Sequence, residues 1–191
     1  MRILGIDPGL RCTGWGVIAV DGGRLQHIAN GAIQPKPTLG DASRLQIIFD
    51  GLCEVITLYQ PNQAAIEQIF VAKSAGSALR LGMARGVGIL ACGVNQLGVG
   101  EISARAVKKA VAGTGTAEKK QIQDMVTRLL AVTAQNADAA DALAIAIAAS
   151  NEAGTAASVG LELGKGQATG GLSAAIAAAL TRDDAGNGGK T

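Results

Sequence analysis

The sequence contains few of the residues on which several classes of protein depend. Aromatic residues make up 2% of its 191 positions, so the core has to be built from aliphatic side chains and alanine. The single histidine, His27, excludes histidine-rich metal sites and disfavours a Ser–His–Asp triad. The three cysteines are widely spaced and form no CxxC pair, which argues against a disulfide framework or a zinc knuckle. Reduced thiols of this kind suit a cytoplasmic protein.

Long apolar runs are also missing. Nowhere do about 18 apolar residues follow one another, so we expect no membrane span. The first residues, MRILGIDPGL, carry an Asp and a Pro inside their apolar stretch, which does not fit a signal peptide. Hydrophobic residues nevertheless make up 48% of the chain, enough for the core of one compact domain.

The charge is small overall and uneven along the chain. The formal net charge is +2, but residues 71–130 hold nine Lys and Arg against three acids. A basic middle between acidic ends favours a phosphate-bearing partner that is bound by one region of the molecule, although solvated helix faces are often basic too.

The hydrophobic pattern predicts alternating strands and helices. Strands are expected at 2–7, 13–21, 25–33, 64–69 and 98–102. Helices are expected at 42–59 with Asp41 as its N-cap, at 75–96, from Ser103, from Thr116, and at 138–149. The last helix is apolar on every side, which is typical of a buried helix.

These elements predict an α/β domain over residues 1–150 with a mixed five-stranded sheet flanked by helices. A helical crossover separates the first strand from the fourth, which favours parallel pairing between them. From residue 151 the periodicity fades and nine of 41 residues are glycine, so we expect 151–191 to be a Gly/Ala-rich tail that is largely disordered.

Four acidic residues interrupt apolar segments. Asp7 ends the first strand, Glu67 lies in AAIEQI, and Asp138 and Asp141 stand three residues apart at the start of the last helix. Each alone has a structural explanation, as a turn, a strand end or a helix N-terminus. Together they are harder to dismiss, because ionised groups are rarely buried without partners. Parallel neighbouring strands would bring Asp7 and Glu67 to the same edge of the sheet, where ligands of open α/β sheets bind.

Clustered carboxylates repel one another, so such a cluster needs protons or bound cations. Oxygen ligands without His or Cys select hard ions, which predicts Mg²⁺, with Mn²⁺ as a substitute. A pair of such ions is the common device for phosphodiester hydrolysis. The basic region would then hold a polyanionic substrate against an acidic site.

Several segments of the sequence resemble one family of nucleases. GIDPGLRCTGWGV, AAIEQIFVAKSAGSALRLGMARG, GTGTAEKKQIQ and DAADALAIAIA occur in the order found in the RuvC-type crossover junction endonucleases, and the resemblance covers about residues 1–150. It implies a ribonuclease-H-like fold, a homodimer and Mg²⁺-dependent cutting of four-way (Holliday) DNA junctions in recombination and repair. It also implies partnership with the RuvA–RuvB branch-migration complex.

The resemblance also suggests roles for individual residues. It implies that a metal-binding catalytic tetrad is formed by Asp7, Glu67, Asp138 and Asp141, with about two ions per subunit. It further implies DNA contacts from Phe70, Lys108 and Lys119, and we add Arg80 from the same basic region. The tail beyond residue 150 extends past the family's usual end.

Three other functions compete with this one. GIDPGLRCTGWG also resembles the phosphate-binding turn of actin-like and sugar-kinase-like ATPases, although these need two lobes around the nucleotide. A junction-binding module without catalysis would have lost one or more of the carboxylates. A related nuclease acting on RNA is excluded less firmly by the sequence pattern.

Overall fold

The computed structural model describes residues 1–68 and 74–159. Its strands are β1 (Arg2–Asp7), β2 (Thr13–Asp21), β3 (Arg24–Ile33), β4 (Gln63–Glu67) and β5 (Val99–Ile102). Its helices are α1 (Asp41–Tyr59), α2 (Ala75–Val94), α3 (Ala104–Ala112), α4 (Lys119–Leu130) and α5 (Ala137–Val159). The predicted tail lies outside the described residues from 160 onward.

The five strands form one mixed sheet in the order β3-β2-β1-β4-β5. The first three are antiparallel neighbours, and β1 pairs with β4 in parallel, as does β4 with β5. This confirms the predicted parallel pairing of the first and fourth strands, because α1 carries the chain back across the sheet. The carboxyl ends of three parallel strands therefore meet at one edge.

The two faces of the sheet bury different cores. One core joins Ile3, Ile18 and Ala65 of the strands to α5, α3 and α4. The other joins Leu4, Ile6, Val17 and Ile66 to α1 and α2. The alternation of side chains along each strand produces this division. We refer to the sheet face that packs against α5, α3 and α4 as the α5 face, and to the opposite face as the α1–α2 face.

α5 lies unusually close to the α5 face. Glycines on β1 and β2 allow this, because a Cβ atom at Gly5 would stand 2.0 Å from the carbonyl oxygen of Ala142, and one at Gly14 would stand 2.0 Å from that of Asp138. Residues 139–140 and 142–149 of the helix are buried, as expected of a helix that is almost wholly apolar, while Asp141 is partly exposed. The helix also runs on to Val159, beyond its predicted end at 149.

The predicted starts of α2 and α3 are confirmed, those of α1 and α5 differ by one residue, and that of α4 is wrong by three. α1 begins at Asp41 itself, with Gly40 as its N-cap and no capping side chain. α4 begins at Lys119 rather than Thr116, since the Thr116 hydroxyl is hydrogen-bonded to Thr114 in the preceding turn, 3.0 Å between the two oxygens. The predicted start at Ser103 is confirmed, and its hydroxyl caps α3 by accepting from the backbone N–H of Ala106 at 3.2 Å.

Among the described helices, α2 alone is long and apolar enough to span a bilayer by length and composition. It carries Arg80 and Arg85, so it contains no unbroken apolar run. Its position argues against a span, because it connects β4 to β5 within one parallel sheet and packs against α1.

Candidate active site

Two carboxylates stand at the ends of neighbouring strands. Ile6 pairs with Ile66 in the parallel ladder, so the next residues along each strand, Asp7 and Glu67, lie side by side at the carboxyl edge. Ile6 and Ile66 belong to the core of the α1–α2 face. Side chains alternate along a strand, so Asp7 and Glu67 lie on the α5 face.

Two more carboxylates come from the beginning of α5. Asp7 pairs with Gly14 across the β1–β2 ladder, and the backbone of Asp138 passes directly over Gly14. Asp141, three residues further on, lies on the same side of the helix. The absent Cβ of Gly14 thus lets the helix start against the strand that carries Asp7.

The cluster makes ionisation of Asp7 unfavourable. Its pKa is raised from 3.8 to about 7, first by burial and then by the negative charges of Asp141, Glu67 and Asp138. The ammonium group of Lys119 acts in the opposite direction. A shift of this size and cause is typical of a functional site, because ordinary folding avoids burying like charges together.

The other acids of the cluster are partly compensated by lysines. Burial and the charge of Asp141 raise the pKa of Glu67, while Lys108 and Lys119 lower it. Burial also raises the pKa of Asp141, against a hydrogen bond from Lys119. The Lys119 Nζ to Asp141 Oδ2 distance is 2.5 Å, and this bond is the main cause of a raised pKa for Lys119.

The donor set is suited to a hard divalent cation, although it is not closed around one. Among residues 1–68 and 74–159, no three His, Cys, Asp or Glu side chains converge closely enough to hold a metal ion by themselves. Mg²⁺ rarely needs such a cage, since it keeps several waters and binds through one or two carboxylates together with substrate phosphates. An all-oxygen cluster with an excess of negative charge fits that mode of binding. In the free protein, the ammonium group of Lys119 contacts Asp141 of this cluster.

Cys12 is a further neighbour of the cluster that the sequence analysis did not identify. Its pKa is raised by burial and by a hydrogen bond to Asp138. The amide of Gln34 donates to its Sγ at 3.5 Å. Cys12 directly precedes β2, and nothing in the local sequence marks its contact with Asp138.

The residues expected to contact DNA fall in three places. Lys108 on α3 and Lys119 at the start of α4 lie within electrostatic range of the acids, as their effects on Glu67 show. Arg80 is exposed in the second turn of α2. Phe70 lies outside the described residues.

Comparison with known proteins points to one family. The model of the family "Crossover junction endodeoxyribonuclease RuvC" matches residues 3–149. A crossover junction endodeoxyribonuclease RuvC from Zymomonas mobilis is 51% identical over 148 residues, which cover 77% of this chain and 89% of that protein.

Two solved structures share the fold. Thermus thermophilus RuvC in complex with a Holliday junction substrate is 29% identical, with a TM-score of 0.76, and the match covers 80% of this chain and 94% of that one. The yeast mitochondrial Holliday junction resolvase Ydc2 is 12% identical, with a TM-score of 0.57 and coverage of 76% and 77%. At that identity the second likeness concerns the fold alone.

Proposed function

The chain belongs to the RuvC family of crossover junction endodeoxyribonucleases, and from this premise we propose how it resolves four-way (Holliday) DNA junctions. The observation that carries the proposal is the convergence of four carboxylates from β1, β4 and α5 at one edge of the sheet. The reaction is hydrolysis of a phosphodiester bond in each of two opposed strands, as part of recombination and repair.

We assign Asp7, Glu67, Asp138 and Asp141 as the catalytic, metal-binding residues. Nucleases of this family depend on divalent metal ions, and for this chain we propose Mg²⁺, with Mn²⁺ as a substitute and two ions per subunit. When bound, the ions supply activation of the attacking water and stabilisation of the departing 3′ oxygen. Asp7 is the central ligand, because its carboxylate faces the other three and is the group whose ionisation most needs a cation.

Lysines at the edge of the cluster bring the polyanion to an acidic site. Lys119 is paired with Asp141 in the free protein, and we propose that its ammonium group contacts a substrate phosphate in the DNA complex, where Asp141 would be free to help hold a metal ion. Lys119 lies in the first turn of α4, whose backbone N–H groups have no capping side chain. These N–H groups and the helix dipole attract an anion, as does the lysine itself. Lys108 contributes from α3, and Arg80 and Phe70 are the further DNA contacts that we propose.

We propose a homodimer with α2 at its interface. Leu79, Leu90 and Val94 on this helix are 66%, 55% and 62% exposed. Gly82 and Gly86, on the same helix, would meet nothing within 4 Å if they carried a Cβ, so another helix can approach closely there. A two-fold dimer supplies two sites, which two symmetric nicks require.

Further proposals concern the cellular setting. We propose partnership with the RuvA–RuvB complex on the ground of family membership, and a cytoplasmic location, which the three free cysteines suit. We also propose residues 1–150 as the nuclease domain and 151–191 as an additional tail.

The competing functions are less well supported. Family membership over residues 3–149 disfavours an actin-like ATPase. A non-catalytic module is disfavoured because none of the four carboxylates has been lost. An RNA substrate is the remaining competitor.

The deciding experiment is cleavage of a synthetic mobile four-way DNA junction by the purified protein. We expect paired nicks with Mg²⁺, none after chelation by EDTA, and recovery when Mg²⁺ is restored in excess. A structured RNA of equal length serves as the control substrate. Faster cleavage of the RNA, or cleavage that persists in EDTA, would contradict the proposal.

A further inference from the structure

The start of α5 is tied to β3 by one amide side chain. The Oδ1 atom of Asn30 accepts a hydrogen bond from the backbone N–H of Gln135, at 2.8 Å. The Nδ2 atom of the same side chain lies 2.8 Å from Nε2 of His27. Asn30 therefore uses both ends of its amide, one toward the loop that precedes α5 and one toward its own strand.

A β-bulge makes this arrangement possible. Residues three apart on a regular strand point to opposite faces of the sheet. Here Val17 pairs with Ala29 and Ile18 pairs with His27, so Ile28 is an extra residue in β3. The bulge turns His27 onto the α5 face together with Asn30, and such bulges commonly re-aim side chains near active sites.

The contact reaches the carboxylates through a short stretch of backbone. The residue after Gln135 is Asn136, whose Oδ1 accepts from the backbone N–H of Ala139 at 2.8 Å and so closes the first turn of α5. Asp138 lies within that turn, and Asp141 follows it. A shift of Gln135 would therefore move the turn that carries Asp138.

We propose that Asn30 is a positioning residue for the active site and that His27 fixes the orientation of its amide. By holding the Gln135 amide, Asn30 sets the height of the first turn of α5 above β2, and with it the distance of Asp138 and Asp141 from Asp7. This inference rests on the function proposed above. It gives the chain's only histidine a role that the sequence analysis did not assign.

The amide orientation follows from hydrogen-bond chemistry. A neutral imidazole with Nε2 as acceptor requires the NH₂ end of Asn30, which leaves Oδ1 for Gln135. A protonated imidazole can only donate, so it attracts Oδ1 and leaves the NH₂ group facing the Gln135 N–H. Burial lowers the pKa of His27, which favours the neutral form at physiological pH.

His27 remains accessible to protons. It lines an open depression of about 900 Å³ between the β2–β3 hairpin and the end of α4. The charged groups lining this depression are Asp21 and Arg24. The end of α4 and the residues directly after it contribute only the apolar residues 129–132. α5 presents no charged residue from Ala142 to Ala149, and the strand partner of His27 is Ile18.

The test compares Asn30→Ala with a matched control, Gln26→Ala, which removes an exposed amide side chain from the same strand. Substitution of a residue that orients metal ligands typically lowers metal affinity or activity 10–100-fold. We therefore expect Asn30→Ala to raise the half-saturating Mg²⁺ concentration about tenfold, to leave junction binding within about twofold, and to speed hydrogen exchange of the Gln135 amide. The control should match wild type in all three measurements.

A conservative variant supplies the pH measurement. His27→Gln keeps an acceptor for Asn30 but cannot titrate, so we expect it to retain wild-type cleavage at pH 7.5 and to lose less activity than wild type between pH 7 and 5.5. Should Asn30→Ala fail to fold, His27→Ala carries the same test, with an expected rise in Mg²⁺ requirement of about threefold.

An unchanged Mg²⁺ requirement with unchanged Gln135 exchange in Asn30→Ala would overturn the inference. So would parallel pH profiles for wild type and His27→Gln. Hydrogen exchange needs no catalysis, so it distinguishes the two proposals: if wild type itself cuts no junction, the proposed function fails while the exchange comparison still decides the role of Asn30.

Discussion

Glycines have opposite packing environments in two regions of this molecule. On β1 and β2, Gly5 and Gly14 stand so close to α5 that a methyl group would overlap its backbone. On α2, Gly82 and Gly86 have open space where a side chain would be. The first region is packed backbone to backbone, and the second leaves a smooth helix surface beside exposed Leu79 and Leu90.

The difference shows what each region contributes. Close packing on the α5 face brings Asp138 over Gly14 and beside Asp7, at the expense of electrostatic repulsion among buried acids. Open glycines on α2 do nothing for the single chain, since each weakens the helix by about 1 kcal/mol relative to alanine. An open helix surface of this kind is what the proposed homodimer interface on α2 requires.

The strongest test of the tightly packed region is Asp7→Asn. We expect it to reduce Mg²⁺-dependent cleavage at least about 1000-fold, because it removes the central charge of the cluster. Junction binding, measured by gel shift in Ca²⁺, should remain within a few-fold of wild type. Wild-type nicking by this variant would contradict the assignment.

The same variant also tests the cause of the raised pKa. An acid whose pKa is 3.8 unfolded and about 7 folded stabilises the fold less as pH rises from about 4 to about 7. In EDTA, wild type should therefore lose about 3 kcal/mol more unfolding free energy than Asp7→Asn does between pH 5 and pH 8. Thermal unfolding at pH 5 and pH 8 measures the difference, and equal slopes for both proteins would contradict it.

Gly14→Ala tests the backbone contact directly. The new methyl group would overlap the Asp138 carbonyl, so we expect a loss of about 3 kcal/mol in unfolding free energy and a fall of roughly 100-fold in cleavage. Chemical denaturation and single-turnover cleavage provide the two measurements. Gly86→Ala, with nothing within 4 Å, is the matched control and should not destabilise the monomer.

Leu90→Asp tests the open region. A charge in the centre of the exposed α2 surface should weaken self-association at least about 100-fold while leaving the monomer folded, since Leu90 is 55% exposed. Light scattering after gel filtration gives the oligomeric state, and circular dichroism confirms the fold. A variant that remains a dimer would place the interface elsewhere.

The smallest expected effect comes from Gly82→Ala. Alanine in an exposed helix interior is more favourable than glycine by about 1 kcal/mol, which corresponds to a rise in Tm of about 2–4 °C for a chain of this size. Differential scanning calorimetry on the Leu90→Asp background isolates the monomer. A fall in Tm there would mean that Gly82 packs within the single chain.

Much of this architecture could be predicted from local signals. The crossover helix predicted the parallel pairing of β1 and β4. That pairing in turn predicted that Asp7 and Glu67 lie together at the carboxyl edge of the sheet. The predicted start of a helix at Ser103 is confirmed, because the Ser103 hydroxyl caps α3. The predicted start at Thr116 is wrong, since the Thr116 hydroxyl is hydrogen-bonded to Thr114 and the helix starts three residues later.

Other features depend on tertiary contacts that no short pattern encodes. On α2, Gly88 packs against Ile66 whereas Gly82 and Gly86 have nothing within 4 Å of a Cβ position, and no local pattern distinguishes these glycines. The bulge at Ile28 leaves no mark in the alternation of β3. The ion pair between Lys119 and Asp141 joins positions 22 residues apart and depends on how α4 approaches α5.

The distance along the chain between Asp7 and Asp138 has a consequence for biosynthesis. The first strand leaves the ribosome early, but its acid has no helical partners until 131 further residues have been translated. Closing so long a loop late in folding is slow compared with forming local structure. A nascent chain therefore lacks the proposed cutting centre until synthesis has passed residue 141.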